Sequence, residues 1–227
     1  MKRAALVLGC LMALSASAAV AQVSPRARAQ RTLPAPVFQG VEAIANEMAG
    51  SGIPAGPLYN KALEGAAKRV PADRLLPAVR AYANRLGQAR IALGSGASVS
   101  LLVAGADALQ RGVRADALRS LPTDRVRSPV AVLVLAELLE SGVPEDRALA
   151  LLRQVMEQRT QDARMLGIPA RVRRLMRDGV PAREAIDRVR RALQRDRGRN
   201  IGPALSPGDD ALSDRRMRDR LRRIRGG

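Results

Sequence analysis

The chain has 227 residues, with 39 Lys and Arg against 21 Asp and Glu, a single Cys and no His or Trp. A formal charge of +18 attracts polyanions such as nucleic acid, anionic lipid or acidic protein surfaces. The lack of His excludes Ser-His-Asp and Cys-His catalysis and zinc sites that need imidazole.

Residues 1–21, MKRAALVLGCLMALSASAAVA, have the layout of a secretory signal peptide. Lys2 and Arg3 form a positive start, an apolar run extends to about Leu14, and Ala19-Val20-Ala21 forms an A-x-A cleavage site. The stretch is barely long enough to span a bilayer as a retained anchor, which takes about 20 apolar residues. The alternative of a lipid attached at Cys10 has only a very short apolar run before it. Cleavage after Ala21 makes the protein exported, periplasmic or secreted. It also removes Cys10, so packing alone must hold the fold, without a disulfide. Loss of Lys2 and Arg3 leaves 37 basic against 21 acidic residues, a balance of +16. Outside the cytoplasm, nucleic acid is not the usual polyanion. Lipid head groups, envelope polysaccharides and acidic proteins fit better. An Arg-rich, Lys-poor balance is also what GC-rich coding writes, so the sequence leaves open whether the charge was selected.

Residues 22–36, QVSPRARAQRTLPAP, are polar, carry prolines and show no apolar period, which predicts a flexible linker. From Val37 the period is helical and continues to residue 197. Val41, Ile44, Ala45 and Met48 share one face, and Leu58, Ala62, Leu63 and Ala66 another. A longer stripe runs from Leu75 to Leu93. Further helices are expected at 99–109, 130–140, 145–159, 170–177 and 182–195. No alternating strand pattern interrupts them. PVAVLVLAELL, residues 129–139, is apolar on nearly every side and predicts a helix buried at the core.

The helices are punctuated by a repeated joint. Gly142-Val143-Pro144 joins two helical stretches, and Gly179-Val180-Pro181, Gly52-Ile53-Pro54 and Gly167-Ile168-Pro169 repeat it. Val70-Pro71 and Gly112-Val113 are degenerate copies. Gly suits the left-handed residue that closes one helix, Pro suits the first turn of the next, and a following acid meets its positive dipole end. The expected fold is all-α: an irregular multi-helix bundle or helix-hairpin array joined by G-V-P turns. Joint spacing is too uneven for a regular solenoid, and the tetratricopeptide positions are missing.

NKALEGAAKRVPADRLLPAVRAYANRL, residues 60–86, contains Lys61, Glu64, Gly65, Ala67, Lys68, Val70 and Pro71 in a K-x-x-E-G-x-A-K-x-V-P pattern. This stretch resembles segments of uncharacterised exported bacterial helical proteins. The resemblance implies export and helical structure and carries no activity. Read as residues alone, Lys61 and Glu64 are helix-surface neighbours, and Pro71 starts a helix.

After Arg197 the period breaks. Residues 198–212 read as a linker rich in Gly, Pro and Asp. Residues 213–227, SDRRMRDRLRRIRGG, predict a basic amphipathic helix, with Met217, Leu221 and Ile224 on one stripe. Arg215, Arg216, Arg218, Arg220, Arg222, Arg223 and Arg225 cover the remaining surface. They are the expected contact surface for an acidic groove or an anionic membrane surface.

No phosphate-binding loop, dinucleotide fingerprint or cofactor motif is present in the sequence. The aromatic residues are Phe38, Tyr59 and Tyr82, too few for the stacking platforms of sugar or single-strand nucleic-acid grooves. The function expected is therefore a non-enzymatic exported module for an anionic envelope partner. One alternative is charge-driven binding of lipid or polysaccharide. Another is a carboxylate enzyme acting on a glycan, for which Glu137 and Glu140 would be the acid pair.

Overall fold

The computed structural model describes residues 24–122, 128–158 and 162–199. Among these residues every regular element is a helix: α1 (Pro25–Thr32), α2 (Ala35–Ala49), α3 (Ala55–Ala67), α4 (Ala72–Leu93), α5 (Val99–Gln110), α6 (Ala115–Arg119), α7 (Pro129–Glu140), α8 (Glu145–Glu157), α9 (Asp162–Arg177) and α10 (Ala182–Arg199). The expected all-α multi-helix fold is what forms.

Five of the six expected joints have one backbone geometry. The Val or Ile N–H donates to the carbonyl five residues back: Ile53 to Met48, Val70 to Gly65, Val113 to Ala108, Val143 to Leu138 and Val180 to Leu175, at 2.9–3.2 Å. The residue before it donates three residues back, as Gly142 does to Leu139 at 2.9 Å. This is the Schellman closure, which pairs carbonyls that a helix end would otherwise leave unmet. It needs a left-handed residue, and Gly52, Gly112, Gly142 and Gly179 supply it with φ of 67–88°. At the fifth joint Arg69 adopts φ 55° despite its side chain. The prolines sit one position earlier than expected. Pro54, Pro71 and Pro144 are N-caps, with extended backbone, and do not lie within the first turn.

Two expectations are corrected. Gly167-Ile168-Pro169 is not a joint but lies inside α9. Met165, Ile168, Pro169 and Val172 are all buried on one helical stripe, so apolar periodicity overrides the punctuation. Pro169 forgoes one helical hydrogen bond to stay in that stripe. Nor are the described residues of the expected 22–36 linker, 24–36, featureless. Ser24 Oγ caps α1 by accepting from the Ala27 N–H at 3.2 Å, and Pro25 occupies the first turn. Ala29 and Leu33 are buried, Arg26 Nε donates to Glu42 at 2.8 Å, and Arg28 donates to Asn60 at 3.2 Å. α10 runs two residues into the expected second linker. The rest of that linker, the 213–227 tail and the leader lie outside the described residues.

Packing follows the chain as an array. α1 lies on α3, and α2 and α3 lie on α4. Beyond them α5, α7 and α9 pack side by side in order, while α8 packs against α10. Two apolar cores result, and α4 and α5 contribute to both. Leu102 and Ala106 of α5 face the first core, while Leu101, Ala104 and Ala108 face the second. α7 is the centre of the second core. Ala131, Val132, Val134, Leu135, Ala136 and Leu138 are all buried, as its composition requires. Among the described residues no helix is long and apolar enough to cross a membrane.

Candidate functional site

A cleft of about 440 Å³ opens where α3, α4 and α5 meet. Asn60, Lys61 and Glu64 come from α3, Tyr82 from α4, and Val99, Val103 and Asp107 from α5. The α5 residues recur at four-residue intervals, so one stripe of that helix lines the wall. Pro25, Gly56 and Pro57 complete the rim. Close approach of α3 and α4 depends on Gly65, where an added Cβ would lie 2.2 Å from Leu75 Cδ1.

The K-x-x-E-G-x-A-K-x-V-P segment thus divides into two roles. Gly65, Val70 and Pro71 shape the backbone and packing, while Lys61 and Glu64 reach the cleft. Lys61 Nζ lies 3.0 Å from Glu64, and Lys68 engages the same carboxylate from the next turn. Hydrogen bonds from Lys68 and Lys61 hold the Glu64 carboxyl below its usual range. Lys61 and Arg85 both stand over the Tyr82 ring, 5.8 and 5.9 Å from its centroid. Burial, assisted by the Asp107 charge, pushes the Tyr82 hydroxyl up to about 12. Tyr82 therefore presents a neutral ring and O–H at neutral pH.

Tyr82 and Asp107 were not visible as site residues in the sequence. Tyr82 fits a packing stripe, and Asp107 is one acid in an apolar helix. Only the Lys61–Glu64 spacing gave a signal.

A second surface is basic. On α9 and α10, Arg164, Arg171, Arg174, Arg177, Arg183, Arg191 and Arg195 are exposed. None of them has a carboxylate within 4.0 Å among the described residues. Arg173, Arg188 and Arg190 of the same helices pair with Glu137, Glu184 and Asp187. The tail arginines Arg215, Arg216, Arg218, Arg220, Arg222, Arg223 and Arg225 lie outside the described residues.

Glu137 and Glu140, the acids of the glycan-enzyme alternative, lie against different arginines. Glu137 accepts from Arg173 of α9 at 3.2 Å, and Glu140 lies 3.8 Å from Arg111 at the end of α5. Each acid faces its own guanidinium, and neither lines the cleft. Among the described residues no three acidic side chains gather into a metal site.

Comparison with protein-family models, curated proteins and solved structures finds no match to this chain.

Proposed function

We propose that this is an exported, non-enzymatic helical protein that serves as a binding or scaffold module for an anionic partner in the cell envelope. The observation that carries this reading is the set of seven exposed arginines on α9 and α10 with no carboxylate partner among the described residues. A guanidinium is a rigid, permanently charged fork suited to carboxylate and phosphate. With no acid partner among the described residues, these guanidinium groups suit an external one. The tail arginines would extend the same charge beyond α10. The side-by-side order of α5, α7 and α9 supports a scaffold role, because such an array offers long helix faces.

The leader supports export, and the separate ion pairs of Glu137 and Glu140 weigh against the glycan-enzyme alternative. The test is capture from envelope extract, with washes at low and then physiological salt. An acidic protein retained at stoichiometric level through the second wash supports the reading. Retention only of salt-labile lipid or polysaccharide would favour diffuse charge attraction, which fades with a Debye length of about 8 Å.

A further inference from the structure

Asp107 is placed where a carboxylate gains little from its own fold. It lies in the last turn of α5, near the negative end of the helix dipole. No Lys or Arg nitrogen of the described residues comes within 4.0 Å of it, although basic residues outnumber acids 39 to 21. Asp73, Glu145 and Asp162 also have no ion pair among the described residues, but they sit in first turns, where the dipole favours them. Glu157 and Asp178 are exposed to water, whereas Asp107 is half-buried. The neighbouring ammonium of Lys61 is already committed to Glu64. Among the described residues that line the cleft, Lys61 is the one cation and it is already paired, whereas Asp107 has no ion pair.

The walls suit an apolar body. Val99 is 49% exposed at the mouth, and Val103, Pro57 and Pro25 line the same space beside the Tyr82 ring. A cleft of about 440 Å³ lies within the range of small-molecule sites, roughly 300–1,000 Å³.

We propose that the cleft between α3, α4 and α5 binds a small organic ammonium, its charge held by Asp107 and its apolar body lying against Tyr82, Val99 and Val103. This site is separate from the basic surface on α9 and α10 and opposite to it in ligand charge, so either proposal can fail without the other.

The chain's own composition supplies the readout. Phe38, Tyr59 and Tyr82 are its only aromatic residues, so its aromatic proton spectrum is nearly empty. The Tyr82 signals are assigned by their loss in Tyr82→Phe. Hexylamine and hexanoate, a pair of similar size and opposite charge, are titrated into the purified chain. A ligand with so few atoms binds weakly, with a dissociation constant on the order of 1 mM. Hexylamine is expected to shift the Tyr82 signals saturably and leave Phe38 and Tyr59 in place, while hexanoate leaves Tyr82 unmoved. Asp107→Asn should weaken hexylamine at least tenfold, with unchanged Phe38 and Tyr59 signals showing an intact fold. A net charge of +18 repels cations in general, so saturable ammonium binding reports a local site. The proposal is overturned by stationary Tyr82 signals, by equal shifts with hexanoate, or by Asp107→Asn binding as well as the parent.

Discussion

The Val143 N–H donates to the Leu138 carbonyl at 3.0 Å, closing α7 one residue before Pro144 caps α8. The same bond at Ile53, Val70, Val113 and Val180 makes this joint the repeated unit of the fold. Its cost rests on the residue before the Val. Gly142 has φ 81°, and a Cβ there would meet nothing within 4 Å. Gly142→Ala should therefore destabilise through backbone strain alone, by about 1–2 kcal/mol. Arg69, held at φ 55°, is the mirror case: Arg69→Gly should stabilise by up to about 1 kcal/mol. Urea denaturation of both variants checks the pair. Opposite signs are expected, and a shared sign would mean that the joints do not share one geometry.

Helical glycines separate packing from propensity. Gly65→Ala would push a Cβ against Leu75, and overpacking there should cost about 1–3 kcal/mol. Gly167 lies within α9 with nothing near its missing Cβ, so Gly167→Ala should stabilise by about 0.5–1 kcal/mol. Thermal melts distinguish the two. A destabilised Gly167→Ala would restore 167–169 as a left-handed joint.

Much of this fold was legible in the sequence because its signals are local. The apolar period placed α4, α5, α7 and α8 within a few residues of their bounds, and the all-round apolarity of 129–139 marked α7 as buried. The failures have tertiary causes. α1 buries only Ala29, with Leu33 buried at its C-cap, a stripe too thin to read, and is held by Arg26 to Glu42 and Arg28 to Asn60. At Gly167-Ile168-Pro169, burial of Ile168 and Pro169 outweighs two helix breakers. The cleft was illegible for a similar reason: Lys61, Tyr82 and Asp107 are far apart in sequence and meet only after three helices pack.

Tyr82 provides a pH prediction. Its hydroxyl titrates at about 12 in the fold, against an ordinary value of about 10 in the unfolded chain. The folded state holds the proton more tightly, so stability is unaffected below pH 10 and falls as pH rises from about 10 to about 12. Phenolate absorbance of Tyr59→Phe, in which Tyr82 is the only tyrosine, should show this late titration. Asp107→Asn should move it down, because the Asp107 charge is one cause of the shift.

The tail makes a separate prediction. Deleting residues 213–227 removes Arg215, Arg216, Arg218, Arg220, Arg222, Arg223 and Arg225 and leaves α1–α10 intact. Binding to the anionic partner should weaken, with little change in the thermal midpoint. Equal binding by both forms would remove the tail from the contact surface.

The most direct test of the proposed function compares the chain with a variant in which Arg164, Arg171, Arg174, Arg183 and Arg191 are all Gln. Both are used to capture components of envelope extract, washed at physiological salt, and circular dichroism confirms equal helicity. The chain is expected to retain an acidic partner at stoichiometric level and the variant to lose it. Equal retention by the two, or retention by neither, would contradict it.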